Sequence, residues 1–410
     1  MRDAGRLAAS LAVLAEIEVG HRPARLALKT WGDTARWAGA KDRAFVSGLV
    51  LDVLRRRRSI SWRMDDERPR AGALGVLRFA WDWPTDRIAA AAAEAPHGPG
   101  ALAGAEYDRL ENPQPLDEAS AAVRGDYPDW LDPHLNRVFG EDRAAEGEAL
   151  AARAPVDLRV NTLKADIGRV TKALAAFHPE VLAAHPDALR IAAPHASERA
   201  APVEAAPEFE KGWFEVQDLG SQIAAAAAGD IAHRQVLDFC AGGGGKTLAL
   251  AAAMANTGQL WAFDADPRRL AETVRRGRRA GVRNLQVRSP VASEPLAGLG
   301  GRMDVVFIDA PCTGTGVWRR HPDAKWRLTP AQLSRRIGEQ DEILAAAAPF
   351  VKAGGRMVYV TCSPLAEENE DRLDAFLATQ PNFSIAGAPR RLTPRTAGAD
   401  GFFIATLERR

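Results

Sequence analysis

Apolar residues recur at helical spacing from the start of the chain to about residue 95. Leu7, Leu11, Leu14 and Ile17 fall on one face of a helix, which predicts a core helix at the beginning of a folded domain. A second apolar stripe runs through KDRAFVSGLVLDVLRRRR, residues 41–58, with arginines at the C-terminal end of the helix, where its dipole favours positive charge. The pattern therefore predicts a small all-α domain.

The pattern changes twice further along the chain. A stretch rich in glycine and proline begins at His97 and predicts a connection, and helical spacing resumes around residues 127–141. The segments DLRVNTLKAD and DALRIAAP then each predict a strand, which indicates a small α/β subdomain.

Beyond Gln217, short apolar runs alternate with helical segments. The predicted strands cover residues 235–239, 259–264, 284–288, 304–309 and 356–361, and the predicted helices cover residues 246–254, 267–280 and 331–350. Such alternation predicts a parallel sheet covered by helices on both faces, with ligands bound at the carboxyl ends of the strands. The closing segment GFFIATLERR predicts a further strand.

Composition narrows the class of protein. A chain of 410 residues is long for one core, and its 46% apolar and 26% charged residues are ordinary for a soluble globular protein. Its net charge of +1 hides arginine clusters at residues 55–58 and 268–288, which indicate either a polyanionic partner or a solvated helix face. Three cysteines without metal-ligand spacing argue against a disulfide framework, predict a reducing cytosol and give no metal site. We also predict no membrane span and no secretory signal.

The stretch VLDFCAGGGGKTLALAAAM predicts a strand, a glycine loop and a helix whose N-terminus offers free N–H groups to a ligand. A P-loop would need glycine where Cys240 stands, and a dinucleotide fingerprint would need glycine where Thr247 stands. A nucleoside ligand remains compatible with the loop, with Asp264 at the end of the next strand placed for ribose hydroxyls. A glycine turn used only for packing is the alternative.

Cysteines stand at the predicted ends of several strands of this sheet. Cys312 follows Asp309 in the segment DVVFIDAPC, and Cys362 ends the run RMVYVTC. A single cysteine of this kind is more often an inert buried residue. Three cysteines at strand–loop junctions of one sheet, beside a ligand-binding loop, predict thiol chemistry instead.

Several segments resemble one family of enzymes. FCAGGGGKT, LWAFDADPRRL, VVFIDAPCTGTGVWRRHPDAKW and VYVTCSPLAEENE are similar to motifs of the RsmB/Sun family of S-adenosylmethionine-dependent RNA cytosine-5 methyltransferases. LRVNTLKA, FEVQDLGSQ and DGFFIATLE are weaker matches, and residues 41–58 resemble the NusB-like domain of that family. The resemblance implies an α/β fold with a Rossmann-like class I methyltransferase sheet. It implies three parts: a NusB-like helical RNA-binding domain (1–142), a small α/β subdomain and connection (143–230), and the methyltransferase domain (231–410).

The resemblance also implies a reaction, in which a methyl group passes from S-adenosylmethionine to C5 of a cytosine in RNA, with ribosomal RNA as the expected substrate. Cys362 would add to C6 as the nucleophile, which makes C5 enamine-like. Cys312 would assist release of the product. Asp309 would hydrogen-bond the ring edge and lie near the cofactor, and Lys246 would keep the site electropositive.

The resemblance assigns the cofactor site to the glycine loop and two acidic residues. These residues are Cys240, Ala241, Gly242, Gly243, Gly244, Gly245, Lys246, Asp264 and Asp309, with Cys240 contributing mainly its backbone. The usual loop of the family is C-A-A-P-G-G-K, and here Gly242 and Gly243 replace alanine and proline. We therefore expect a more flexible loop.

We expect a cytoplasmic monomer whose partner is RNA. The target base must leave its stacked context. The N-terminal domain, the α/β subdomain and residues 319–321 are candidates for binding phosphates, while Trp318 and Trp326 either stack on bases or pack in a core. The alternatives are a non-catalytic RNA-binding protein that retains the fold, a nucleotide-hydrolysing enzyme, which Cys240 disfavours, and a methyltransferase of proteins or small molecules, for which paired cysteines have no obvious use.

Overall fold

The computed structural model describes residues 1–20 and 22–410, and its N-terminal part is helical. The helices there are α1 (Asp3–Gly20), α2 (Ala24–Thr34), α3 (Ala40–Arg55), α4 (Arg57–Met64), α5 (Pro69–Phe79), α6 (Thr85–Ala93), α7 (Gly104–Glu111), α8 (Ala121–Arg124), α9 (Asp132–Phe139) and α10 (Arg143–Ala151). The apolar stripe predicted for α1 is confirmed, since Leu7, Leu14 and Ile17 are buried in the core that α1 shares with α3 and α5.

The prediction of a plain connection after His97 is wrong, because α7 lies within that stretch. The Glu106 carboxylate accepts the backbone N–H of Ala103 at 2.9 Å, which caps the N-terminus of the helix. Leu110 is fully buried at the other end. A cap and one apolar anchor therefore hold a short helix among residues that favour turns.

The rest of the chain alternates strands and helices. Its first elements are β1 (Val156–Val160), α11 (Ile167–Ala173), β2 (Glu180–Val181), β3 (Ala188–Ile191), α12 (Pro207–Glu210), β4 (Phe214–Val216) and α13 (Leu219–Ala226). Then follow β5 (Gln235–Asp238), α14 (Gly245–Ala253), β6 (Gln259–Phe263), α15 (Pro267–Ala280), β7 (Leu285–Arg288), β8 (Met303–Asp309), α16 (Ala324–Arg327), α17 (Pro330–Ala347), β9 (Val351–Thr361), α18 (Glu370–Thr379), β10 (Phe383–Ile385), β11 (Arg390–Leu392), α19 (Pro394–Ala397) and β12 (Phe402–Arg409). The predicted strands and helices are confirmed, with the largest difference at β9, which begins at Val351.

The chain divides into a helical unit and an α/β unit. The helical unit contains Met1–Ala154, Ala193–Ala200 and Trp318–Leu328, and the α/β unit contains Pro155–Ala192, Ala201–Val317 and Thr329–Arg410. The three-part functional division at residues 142 and 230 stays a prediction.

The segment Trp318–Leu328 is anchored inside the helical unit by three hydrogen bonds. The backbone N–H of Ala24 donates to Asp323 at 3.1 Å. Lys325 Nζ donates to the carbonyl of Arg55 at 2.7 Å, and Trp326 Nε1 donates to the carbonyl of Leu54 at 2.6 Å. The last two bonds satisfy carbonyl groups at the C-terminal end of α3, which have no partner within the helix.

The α/β unit contains two sheets. The smaller sheet is antiparallel, with the strand order β2-β3-β1-β4. The larger sheet has the order β10-β12-β9-β8-β5-β6-β7, with β11 also paired to β12. Strands β5 to β9 run parallel, whereas β12 pairs antiparallel with β9, β10 and β11. The prediction of a parallel sheet therefore needs correction at one edge, where β12 runs antiparallel to its neighbours.

Candidate active site

The glycine loop joins β5 to α14 and is fixed by the side chains of α15. Gly242 and Gly244 have φ angles of +54° and +86°, a region in which a side chain would be strained. Thr273 Oγ1 donates to the carbonyl of Gly242 at 2.9 Å, and Arg276 Nη1 donates to the carbonyl of Gly243 at 2.7 Å. The two glycines that replace alanine and proline are thus held from outside the loop, a restraint that the expectation of a more flexible loop did not include.

Asp264 follows β6 and binds the same loop. Its Oδ2 accepts the N–H of Gly242 at 2.8 Å, and its Oδ1 accepts the N–H of Asp266 at 2.9 Å. The side chain is nearly buried but still lines a cavity. The ribose contact of Asp264 stays a prediction, and the structure shows that this side chain fixes the shape of the loop.

Cys240 lies at the carboxyl end of β5. Burial raises the pKa of its thiol well above the ordinary value, and the negative charges of Asp238 and Asp309 add to this effect. The thiol therefore stays protonated, which fits the expectation that Cys240 contributes its backbone.

Lys246 and Asp309 form an ion pair across the site. Lys246 Nζ lies 2.6 Å from Asp309 Oδ2, with the lysine nearly buried and about a third of the aspartate side chain exposed. The charge of the lysine is thus balanced at short range, so its electropositive effect on the thiols is smaller than the sequence suggested.

Cys312 and Cys362 meet at the ends of adjacent strands. Strands β8 and β9 are parallel, with Asp309 opposite Val360, so the residues that follow them emerge at one edge of the sheet. The two sulfur atoms lie 3.3 Å apart. The hydrogen bond to Cys362 and burial together raise the pKa of the Cys312 thiol well above its ordinary value. Cys312 therefore holds its proton and can donate it towards the sulfur of Cys362.

A cavity of about 690 Å³ brings the predicted site residues together. Its lining includes the apolar side chains of Phe239, Phe263 and Ile343 as well as Asp264, Asp309, Cys312 and Cys362. An adjoining cavity of about 290 Å³ is lined by the glycine loop, Lys246 and Asp309. Apolar walls beside a few convergent carboxylates suit a nucleoside ligand, so these residues fit S-adenosylmethionine.

Several residues of the helical unit that were predicted to bind RNA are buried. Trp318 and Arg319 are buried, and so is Arg55, which pairs with Asp52 at 2.9 Å. Of the two interpretations given for Trp318, core packing is therefore confirmed. The burial of Arg55 and Arg319 argues against phosphate contacts by either side chain.

Residues 1–20 and 22–410 contain neither a membrane-spanning helix nor a cluster of metal-ligating side chains. In this part of the chain, no helix is both long and apolar enough to cross a membrane. The same residues contain no group of three or more His, Cys, Asp and Glu side chains arranged to hold a metal ion.

The sheet order and the glycine loop after β5 define a Rossmann-like methyltransferase of the class that uses S-adenosylmethionine. Residues 229–408 match the family described as 16S rRNA methyltransferase RsmB/F, and residues 127–198 match its ferredoxin-like domain. Ribosomal RNA small subunit methyltransferase B of Citrobacter koseri is 31% identical over 396 residues, covering 90% of this chain and 91% of that protein. The chain belongs to the RsmB/F family of small-subunit ribosomal RNA methyltransferases.

Solved structures share the fold. The crystal structure of PH0851 superposes with a TM-score of 0.74 at 23% identity and covers 100% of this chain and 99% of its own. NSun6 from Pyrococcus horikoshii, solved with the S-adenosylmethionine analogue SFG, has a TM-score of 0.61 at 20% identity, covering 69% of this chain and 98% of its own. The N-terminal helices fit the NusB-like domain expected from the family.

Sequence analysis missed two residues of the site. Glu368 and Asn369 are fully buried behind the thiols, although they lie within the segment VYVTCSPLAEENE that carried the resemblance. Polar residues at the opening of a helix usually face solvent, so their spacing gave no reason to place them inside. The only signal was their closeness to Cys362 in the sequence.

Proposed function

We propose that the chain transfers a methyl group from S-adenosylmethionine to C5 of a cytosine in ribosomal RNA, through a covalent adduct to Cys362. The observation that carries the proposal is the 3.3 Å separation of the Cys312 and Cys362 sulfur atoms beside a cavity that Asp309 also lines. A lone cysteine would supply only a nucleophile, whereas two thiols at the ends of adjacent strands supply both a nucleophile and a proton donor.

The reaction requires C5 of cytosine, a poor nucleophile, to be activated. The thiolate of Cys362 forms a bond to C6, and the π electrons of the C5–C6 bond move to make C5 nucleophilic. S-adenosylmethionine, when bound, would supply an electrophilic methyl group, which C5 would take as the methyl–sulfonium bond breaks and leaves a neutral thioether. Loss of the C5 proton to solvent then returns an electron pair to the C5–C6 bond and breaks the bond between C6 and the sulfur of Cys362.

Cys312 and Asp309 support this sequence of bond changes. Cys312 holds its proton, as its raised pKa indicates, and can pass it to the sulfur of Cys362 as that sulfur leaves C6. Asp309 has one oxygen paired with Lys246, and its exposed part can accept a hydrogen bond from the ring edge of the cytosine. The glycine loop, Asp264 and Asp309 would hold the cofactor.

The test uses RNA that carries 5-fluorocytosine, whose C5 fluorine cannot be lost as a proton can. With S-adenosylmethionine present, the protein should form a complex with this RNA that survives denaturation. Cys362→Ala should abolish the complex, because no thiolate then adds to C6. Cys312→Ala should leave a slowly resolving adduct on unmodified RNA.

One result would overturn the proposal, namely full methyl transfer by Cys362→Ala. A non-catalytic RNA-binding protein would give RNA binding without methyl transfer or a trapped complex in any variant. If the protein does methylate ribosomal RNA, bisulfite sequencing of that RNA from a deletion strain and its parent would identify the modified cytosine.

A further inference from the structure

Two consecutive buried residues, Glu368 and Asn369, hold the loops that carry the thiols of Cys312 and Cys362. Each residue holds one loop. Both side chains are fully buried. A buried carboxylate and a buried amide are costly unless hydrogen bonds satisfy them, so their partners show what they stabilise.

Glu368 holds the loop that carries Cys312. Its Oε1 accepts the backbone N–H of Thr313 at 2.7 Å, and its Oε2 accepts the hydroxyl of the same threonine. Gln340 Nε2 donates both to Oε1 of Glu368, at 3.1 Å, and to the carbonyl of Pro311, at 2.9 Å. The residues on either side of Cys312 are thus fixed by one charged network.

Asn369 holds the loop that carries Cys362. Its Oδ1 accepts the hydroxyl of Thr361 at 2.6 Å, and its Nδ2 donates to the carbonyl of Ser363 at 2.8 Å and to that of Leu365 at 2.7 Å. The residues on either side of Cys362 are therefore tied to one amide. A hydrogen bond of 2.9 Å between the hydroxyls of Thr315 and Ser363 joins the two loops.

We infer that Glu368 and Asn369 are positioning residues for the proposed reaction, with Glu368 governing release of the product through Cys312 and Asn369 governing attack by Cys362. The inference rests on the proposed function, because it assigns each residue to one thiol step. Neither residue lines the cavity that contains both sulfur atoms, so they act through the loops that they hold.

The test measures two rates on unmodified RNA: the formation of the denaturation-resistant complex and its decay to free methylated RNA. Glu368→Gln keeps the shape of the side chain but removes its charge, and it should slow decay by roughly 10- to 100-fold, as expected for losing a hydrogen bond to a charged group. Formation should stay near the wild-type rate. Asn369→Ala should do the opposite, with slow formation and nearly normal decay.

Matched variants separate positioning from a general loss of structure. Glu370→Gln changes the next residue, whose carboxylate accepts a hydrogen bond of 2.7 Å from Arg391 and does not contact the loops of Cys312 and Cys362. This variant should leave both rates unchanged. Thr313→Val removes a hydroxyl that donates to Glu368, and Thr361→Val removes a hydroxyl that donates to Asn369. Thr313→Val should slow mainly decay and Thr361→Val mainly formation, each by a smaller factor. These two variants still test the inference if Glu368→Gln or Asn369→Ala folds poorly.

Cys362→Ala and Cys312→Ala, measured in parallel, distinguish failure of the proposed function from failure of the positioning inference. If Cys362→Ala still forms the complex, the proposed function fails. A different result overturns only the positioning inference. In that case the cysteine variants behave as proposed, but the four variants at Glu368, Asn369, Thr313 and Thr361 slow both rates equally or slow neither.

Discussion

Asp238 ends β5 directly below the glycine loop, and its side chain is completely buried. Its Oδ2 accepts the hydroxyl of Thr247 at 2.6 Å. Burial raises the pKa of this carboxyl group from 3.8 to about 7, with the hydrogen bond from Thr247 acting in the opposite direction and the charge of Asp309 adding to the rise. The folded state therefore favours the protonated form.

This shift predicts a pH-dependent effect of Asp238→Asn. Because the folded pKa lies above the unfolded one, the stabilising contribution of Asp238 is present below pH 3.8 and is lost as the pH rises through about 7. The variant lacks this loss, so its free energy of unfolding relative to wild type should increase by about 2–3 kcal/mol between pH 5 and pH 7, at about 1.4 kcal/mol per pH unit below the folded pKa.

Urea unfolding at a series of pH values measures this difference. Asp266→Asn is the control, because this exposed carboxyl group has a lowered pKa, caused first by the backbone hydrogen bond from Arg268. Its effect should not grow over the same pH range. A constant difference between Asp238→Asn and wild type from pH 5 to pH 8 would contradict the prediction.

At the scale of single residues, the sequence predicted the site residues that lie within recognisable motifs at the ends of strands. Cys312, Cys362 and Asp309 stand at strand ends, where parallel topology alone brings residues together, and all three line one cavity. Glu368 and Asn369 escaped prediction because their role depends on partners up to 55 residues away, such as Thr313. No local pattern of polarity contains that information.

At the scale of elements, α15 supplies what the altered glycine loop lacks. Arg276 on this helix bridges the carbonyl of Gly243 and the carboxylate of Glu215, to which Arg276 Nη2 donates at 2.8 Å. Arg279 binds the same carboxylate. A buried carboxylate thus orients an arginine that in turn orients the loop.

Arg276→Met should therefore weaken binding of S-adenosylmethionine while leaving the protein folded. Loss of a charge-assisted hydrogen bond to the loop predicts a Kd about 10-fold higher. Isothermal titration calorimetry measures this change. Arg275→Met is the matched control, since that neighbouring side chain is largely exposed and pairs with Glu272 on the same helix. Equal affinities of the two variants would argue against a role for α15.

The bounds of α15 were predictable from its capping pattern and apolar spacing, whereas its contacts with the loop were not. Asp266 caps the helix, Pro267 begins it and Gly281 ends it, all of which are local signals. The bonds from Thr273 and Arg276 depend on how the helix packs beside β5 and β6, which the sequence does not encode locally.

At the scale of the whole molecule, the chain crosses between its two units more than once. The segment Trp318–Leu328 follows Cys312 by only a few residues, yet it belongs to the helical unit. Trp326 packs against the core of that unit, and its indole donates to the carbonyl of Leu54. The predicted boundary at residue 142 could not reveal this, because segment membership depends on contacts with residues about 270 positions away, a separation that periodicity does not report.

Trp326→Ala should consequently destabilise the helical unit, although the residue lies in the C-terminal half of the sequence. The loss of a half-buried indole and its hydrogen bond predicts a decrease of roughly 2–4 kcal/mol in the free energy of unfolding. Hydrogen exchange of the amides of α3 measures the effect at the site of contact. Trp37→Ala is the control, because Trp37 is 68% exposed in the same unit. Unchanged protection of α3 in Trp326→Ala would refute the prediction.

The adjacency of Glu368 and Asn369 has a mechanical consequence. Because one peptide unit joins Glu368 to Asn369, a displacement of this backbone moves the loops of Cys312 and Cys362 in the same direction. Breathing of the cavity would then translate the two sulfur atoms as a pair, and their separation would fluctuate less than the position of either atom relative to the sheet. The sulfur-to-sulfur spacing on which the proposed proton transfer depends would then be kept when the cavity widens.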